Sequence, residues 1–483
     1  MQDRTEVAIV GAGAAGICLG AKLSSAGVPF IVLEKAEALG GTWRENVYPG
    51  SGCDVVSHLY SFSFAQKPDW TRRFAKQAEI QDYLQACAER FGVAEKIVFR
   101  ANVTAARFDE GSREWMIEIA GGGTLRAKVL VTAVGQLNKP FTPSLPGLAS
   151  FGGPAFHSAE WDRSAALQGK TVAVIGSGAS AVQFVPEIAP TVERLTLFQR
   201  SPNWVIPKPD REIASLEAWI YRRLPFALRM LRLRDYWSLE RSWSAFVQNT
   251  RYGRYWEEMS RKALEEAVSD PELRRALTPD YPAGCKRILL SNDWFRTLAR
   301  ENVRVVPRQA VSIEPSGVID AAGQRHQADV LIFATGFDAQ NFLPGIEITG
   351  RAGRSLREYW KPRPRAHRGM GVPGFPNLFM LYGPNTNLGH GSILFMLECQ
   401  ADYILRCLRL MRGRRLATLE PKESEAADYD AALQREMKRT VWVAGCSSWY
   451  KSPDGTVLNN WSSHTVKYWW QTRRPRLAEY HLG

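Results

Sequence analysis

Paired cysteines are what this sequence most visibly lacks. Its seven cysteines (Cys18, Cys53, Cys87, Cys285, Cys399, Cys407 and Cys446) are odd in number, scattered, and include no CxxC pair. Such spacing argues against a disulfide framework, a thiol redox couple or a zinc site, so no metal is expected and a reducing, cytoplasmic compartment is. Also missing is an uninterrupted apolar run. Residues 7–23 come nearest, but they carry four glycines and follow Asp3, Arg4 and Glu6. This excludes a signal peptide or membrane span there and leaves a strand, a turn and a helix. Acidic residues are in deficit, 49 against 62 Lys and Arg, for a net charge of +13. A basic surface attracts phosphates whatever their sequence. No nucleic-acid motif accompanies the charge, and the expectation is a basic protein whose cofactors are polyanions.

What is present is a duplication. At 483 residues the chain exceeds the roughly 250 to 300 residues at which one core stops growing. Two glycine fingerprints occupy it, Gly11-Ala-Gly13-Ala-Ala-Gly16 and Gly176-Ser-Gly178-Ala-Ser-Ala181. The first lies between an apolar strand at 7–10 and a helix at 17–26, with a second strand at 30–34. In such a unit the first glycine makes the turn, the second lets a pyrophosphate approach the backbone, and the third lets helix pack on strand. Glu34, eighteen residues after Gly16, is placed to accept hydrogen bonds from ribose hydroxyls. The second unit has strands at 171–175 and 195–198. Here the residue eighteen after Ala181 is Gln199, and Arg200 follows. A carboxylate would repel a 2′-phosphate and arginine grips one, so the second nucleotide is expected to be NADPH.

The expected fold is therefore α/β, two Rossmann-like dinucleotide-binding domains for FAD and NADP with a helical insertion in the second. The expected division runs 1–145 for the first part of the FAD domain, 146–208 with 283–335 for the NADP domain, 209–282 for the insertion, and 336–483 for the return to the FAD domain and the C-terminal region. Within the insertion, residues 221–241 interleave six arginines with Leu224, Phe226, Leu228, Leu231, Tyr236 and Trp237. Such a stretch either packs its apolar side over the protein or rests peripherally on an anionic membrane; the packed arrangement is the expectation.

Between the two fingerprints stands Phe151-Gly-Gly-Pro-Ala-Phe-His157-Ser-Ala-Glu-Trp161-Asp162. With it, the chain resembles the Baeyer-Villiger monooxygenases, FAD- and NADPH-dependent enzymes that turn ketones into esters or lactones. The stretch fits their FxGxxxHxxxW pattern. A second family pattern is matched by Gly40, Gly41, Trp43, Tyr48, Pro49, Gly50 and Asp54. Amine- and sulfide-oxygenating flavoenzymes, the alternative, share both units but usually lack the tryptophan found here at 161.

The resemblance implies a division of labour. Gly11, Gly13, Gly16 and Glu34 would hold the adenosine diphosphate half of FAD, with Thr42, Trp43, Asp54 and Tyr60 nearer the flavin. Gly176, Gly178, Gln183, Arg200, Ser201 and Lys286 would hold NADPH, Lys286 joining Arg200 near the 2′-phosphate, and Trp449 would lie toward the nicotinamide. Arg287 would be the catalytic arginine, stabilising with NADP+ a C4a-peroxyflavin that attacks the ketone, and Asp54 the carboxylate that orients it. Molecular oxygen and a ketone are the implied reactants. His157 and Trp161 are expected to set geometry between domains as a hinge and not to do chemistry.

Overall fold

The computed structural model describes residues 3–446, 448–452 and 454–483. Two sheets organise it. In the first, of eight strands, Arg4–Val10 lies at the centre between Phe30–Leu33 and Gly123–Thr132, parallel to both. Val7 to Val10 and all of Phe30–Leu33 are buried, the pattern of strands covered on both faces. The helix Ala14–Ser25 makes the crossover and ends where Gly27 takes φ +62°, a left-handed stop that a side chain would strain. Outside it packs the long helix Ile393–Arg414, Leu397 and Ile404 sharing one core with Leu19 and Leu23. Strands Glu347–Thr349 and Leu378–Met380 join this same sheet late in the chain.

The second sheet has five strands in the order Val303–Val306, Arg194–Phe198, Thr171–Ile175, Val330–Phe333, Ala155–His157. Thr171–Ile175 pairs in parallel with Arg194–Phe198 through the helix Ala179–Ile188, repeating the geometry of the first sheet. Residues 155–157 of the supposed hinge are thus not a free linker; they hydrogen-bond to Leu331–Phe333 as an edge strand. The α/β architecture is the one expected from the duplicated fingerprints. Gly16, however, lies inside the first helix and not in the turn.

Between residues 209 and 282 the chain folds as helices Ser215–Arg223, Pro225–Ser242, Arg251–Ala267 and Pro271–Leu277. It leaves and returns through a two-stranded parallel ribbon, Val205 opposite Leu289 and Ile206 opposite Leu290. No described helix is long and apolar enough to cross a membrane.

One expectation is corrected. Cys285 and Cys446 form a disulfide with Cα atoms 6.3 Å apart. They are separated by 161 residues, so no local spacing announced the pair. The other five cysteines are free and buried.

The C-terminal tail is anchored by a buried ion pair. Arg368 Nη2 lies 2.6 and 2.7 Å from the two carboxylate oxygens of Glu479, and a His367 ring nitrogen lies 3.2 Å from one of them. Burial pushes the Glu479 carboxyl up, but the hydrogen bonds from His367 and Arg368 outweigh it and hold the pKa at about 2. Because the folded value is depressed, the stabilisation is present above the unfolded value near 4.3 and is lost as pH falls toward about 2. Glu479→Gln is therefore expected to cost roughly 3–5 kcal/mol at neutral pH, since Arg368 is left without its counter-charge. Denaturant titrations from neutral pH to about pH 3 should show the difference between the two proteins shrinking as Glu479 protonates; a pH-independent difference would contradict this.

Candidate active site: one cavity between two glycine turns

The two glycine turns open onto one cavity of about 980 Å³. Gly11, Gly13, Glu34, Thr42, Trp43, Asp54 and Tyr60 line it from the first sheet, Gly176, Gly178, Gln183, Arg200 and Ser201 from the second, and Arg287 from just before the ribbon strand Leu289–Leu290. Trp449 lines it from the C-terminal region. Gly16 and Lys286 stand behind this lining.

The turns are built alike. Gly11 has φ +108° and a Cβ there would sit 2.6 Å from the Ala133 carbonyl oxygen; at Gly176, with φ +104°, it would sit 2.4 Å from that of Ala334. In each case a glycine passes against the end of the neighbouring parallel strand, which no side chain permits. Gly16 answers to the third role of the fingerprint, for a Cβ there would meet the Gly11 oxygen at 2.0 Å. Both helices begin at a glycine, Gly13 and Gly178, with no side-chain cap. Their first N–H groups are thereby left for a ligand, in the field of the helix dipole. A Cβ on Gly178 would meet nothing within 4 Å.

Glu34 follows its strand and accepts N–H groups from Ala12 at 2.7 Å and Ala36 at 2.9 Å. These bonds fix the carboxylate over the first turn, and each oxygen retains a lone pair. Trp43 donates its indole N–H to the Tyr60 hydroxyl at 3.1 Å, the rings meeting edge to face. Gln183 does something the sequence did not disclose. Its amide donates to Gly52 O at 3.0 Å and accepts from the Tyr48 hydroxyl at 3.0 Å. It latches the second turn's helix to the loop carrying Asp54.

On the far side, Lys286 donates to Ser201 Oγ at 2.5 Å. Burial, and then the nearby charge of Arg200, lower the pKa of Lys286. Two cations are thus held close enough to repel each other, an arrangement that an anion relieves.

Arg287 is an exposed residue that lines the cavity. Partial desolvation by the cavity walls opposes its charge, yet the Asp54 carboxylate, with Tyr450 and Tyr382 after it, raises its pKa above the ordinary arginine value. The interaction with Asp54 is through space: the direct ion-pair partner of Asp54 is Lys208, at 3.1 Å. Lys208 also donates to Cys53 O at 2.9 Å. Sequence reasoning missed Lys208, which belongs to no motif. It missed Tyr382 as well, whose hydroxyl donates to Asn387 Oδ1 at 2.6 Å. The Cys285–Cys446 disulfide sits one residue before Lys286 and ties this corner to the segment that carries Trp449 and Tyr450.

His157 lies outside the cavity lining. Its Nδ1 accepts the Ala159 N–H at 3.1 Å, and burial lowers its pKa. Trp161 packs on Phe156 and on Phe184, each at 5.3 Å, and Phe184 meets Tyr48 at 6.1 Å. A row of aromatic rings therefore runs from this stretch to the loop of the first sheet.

Comparison with known proteins accords with this geometry. Residues 4–346 match the family described as flavin-binding monooxygenase-like. A Baeyer-Villiger monooxygenase of Pseudomonas aeruginosa is 41% identical over 480 residues, 99% of this chain and 91% of that protein. Another, of Streptomyces coelicolor, is 41% identical over 488 residues, covering 100% and 93%. Among solved structures, an oxidised steroid monooxygenase bound to NADP superposes with a TM-score of 0.89 at 28% identity over 99% of each chain. OTEMO in complex with FAD and NADP gives 0.88 at 26% identity over 99% of each. With its duplicated turns, its two family patterns and these full-length relatives, the chain belongs to the Baeyer-Villiger monooxygenases of the flavin-binding monooxygenase-like family.

Proposed function

We propose that the cavity inserts one atom of molecular oxygen next to the carbonyl of a ketone, giving an ester or lactone, with FAD at the first turn and NADPH at the second. The names of the full-length relatives and the FAD and NADP of the structural neighbours support the reaction and the cofactors. The observation that carries the assignment of roles is a guanidinium, Arg287, inside the cavity onto which both uncapped helices open.

The residues present fit both groups. The free N–H groups beyond Gly13 and Gly178 suit a pyrophosphate at each helix, Glu34 suits ribose hydroxyls, and Arg200 with Lys286 and Ser201 suits a 2′-phosphate. Thr42, Trp43 and Tyr60 wall the region between, where FAD, when bound, relays electrons from NADPH to oxygen. Trp449 closes the nicotinamide side.

Arg287 supplies a fixed positive charge to the negative charge that builds on oxygen as it reaches a carbonyl carbon. Arginine suits the place better than lysine because it stays protonated when desolvated and offers several donors. Asp54 keeps that charge in place from a distance, and its pairing with Lys208 leaves the guanidinium donors free for substrate and cofactor. A charge pair at about 4 Å and an effective dielectric near 20 is worth roughly 4 kcal/mol, or about a thousandfold in rate.

Arg287→Ala should therefore lower ketone oxidation by about a thousandfold while reduction of bound FAD by NADPH, followed by the bleaching of its absorbance, proceeds. If bleaching falls as much as turnover does, Arg287 serves binding and not oxygen transfer. Arg200→Ala should raise the KM for NADPH far more than that for NADH; equal increases would remove Arg200 from the 2′-phosphate site. Product analysis on a panel of ketones and sulfides tests the reaction itself. Ester or lactone from at least one ketone is the expected result, and sulfoxide without ester from any ketone would overturn it in favour of heteroatom oxygenation.

A further inference from the structure

The helix Pro225–Ser242 turns a second apolar stripe outward. Phe226, Met230, Leu233 and Trp237 recur at i, i+4, i+7 and i+11, one stripe of an α-helix, and this stripe faces solvent with exposures of 72%, 48%, 48% and 48%. The opposite stripe, which packs on the protein, carries Leu228, Arg232, Asp235, Leu239 and Ser242. Its charges are individually paid for: Arg232 donates to His58 O at 2.6 Å and to Ser61 Oγ at 3.2 Å, with Glu398 at 3.9 Å, and Asp235 pairs with Arg234 at 2.9 Å. The expectation that this stretch packs its apolar side over the protein holds in part: Leu228 is buried and Tyr236 and Leu239 pack against Val56, Leu59 and Phe74, while Leu224, Phe226 and Trp237 are exposed. Just before the helix, Leu216, Trp219 and Leu224 are exposed too.

Arginines flank the stripe. On the helical projection Arg229 lies to one side of it and Arg234 and Arg241 to the other, and Arg222 and Arg223 precede it; all five are exposed. Arg222 is engaged by Asp69 at 3.0 Å, whereas Arg223, Arg229 and Arg241 have no salt-bridge partner among the described residues. Between residues 218 and 242 the only acids are Asp235 and Glu240, and both are buried. An exposed apolar stripe of this length marks an interaction site. Its partner must offer an apolar surface bordered by negative charge on both sides, with no need for cations.

From this charge complementarity we infer that the helix Pro225–Ser242 docks the protein on an anionic lipid surface, the apolar stripe entering the headgroup boundary and the flanking arginines meeting lipid phosphates. Tryptophan suits that depth, its ring lodging among the headgroups, and arginines near an anionic leaflet each strengthen binding severalfold. The docking does not depend on the reaction proposed for the cavity.

The test uses the full-length, FAD-loaded protein. Co-sedimentation is measured with vesicles of phosphatidylcholine alone and of phosphatidylcholine mixed with phosphatidylglycerol. Two variants accompany it: one combining Phe226→Ser, Met230→Ser, Leu233→Ser and Trp237→Ser, the other combining Arg223→Gln, Arg229→Gln and Arg241→Gln. All these side chains are exposed, so the melting temperature and turnover of a water-soluble ketone should stay at wild-type levels in both. The wild type should sediment with the anionic vesicles and at least about tenfold less with the neutral ones. The serine variant should stay in the supernatant, and the glutamine variant should lose the preference for anionic lipid. Wild-type protein that ignores both vesicles, binds both equally, or binds no better than either variant would overturn the proposal. So would light scattering that shows a dimer dissociated by the serine variant, which would make the stripe a contact between copies of this chain.

Discussion

A guanidinium kept charged against the walls of the cavity is the constraint on which the site depends. Removing a cation from water is costly unless a counter-charge stays within reach. Here that counter-charge is Asp54, on a loop of the first sheet, while Arg287 arrives just before the ribbon strand Leu289–Leu290. Neither sheet alone contains the arrangement. Lys208 completes it from the base of the insertion: by taking the direct contact at 3.1 Å it satisfies Asp54 without occupying Arg287. Lys208 and Arg287 lie at the two ends of the short ribbon formed by Val205–Ile206 and Leu289–Leu290. One small piece of backbone pairing thus holds both cations around one carboxylate.

For such a site the two sheets must meet in a single register, and three devices set it. Gln183 bonds Tyr48 and Gly52 across the boundary. A Cβ on Gly50, which has φ +77°, would strike the Gln183 carbonyl oxygen at 2.5 Å, so this crossing is a close backbone approach that glycine alone allows. The aromatic row from Phe156 through Trp161 and Phe184 to Tyr48 runs alongside. Residues 151–162 are therefore better described as an edge strand with a packed tryptophan than as a flexible connector. Their influence on the cavity passes through Phe184 to Tyr48 on one side and through His157, whose ring meets that of Phe337 at 5.9 Å, on the other.

The features legible in the sequence are those whose physics is local. A glycine turn between an apolar strand and a helix announces itself because backbone approach, strand burial and helix start fall within a few residues, and this happens twice, at Gly11 and at Gly176. The acid at Glu34 and its absence at Gln199 are legible for the same reason. Illegible were pairings between distant segments. Cys285 finds Cys446 across 161 residues, Asp54 finds Lys208, and the Gln183 amide turns toward Tyr48; nothing within any one of these segments names its partner. Gly16 was misplaced by a shorter step, the helix having started at its glycine cap instead of after the fingerprint.

The helix Pro225–Ser242 exposes a limit of a different kind. Periodicity tells how residues divide between two faces of a helix, but which face turns inward is decided by what waits on the other side. Arg232 can be buried because the His58 carbonyl, Ser61 and Glu398 receive it. Glu240, at the helix end, can be buried because Thr465 donates its N–H at 2.9 Å and His464 lies at 3.1 Å. Those acceptors and donors come from segments up to more than two hundred residues away, so the inner face joins matched charges to Leu228, Tyr236 and Leu239, and the stripe of Phe226, Met230, Leu233 and Trp237 is turned out. A helix whose apolar stripe had merely failed to find a core would not have its charges so fully matched on the inner side. The matching makes the outward stripe a property of the fold, and an apolar stripe kept outward beside unpaired arginines is a surface shaped by what it meets outside the protein.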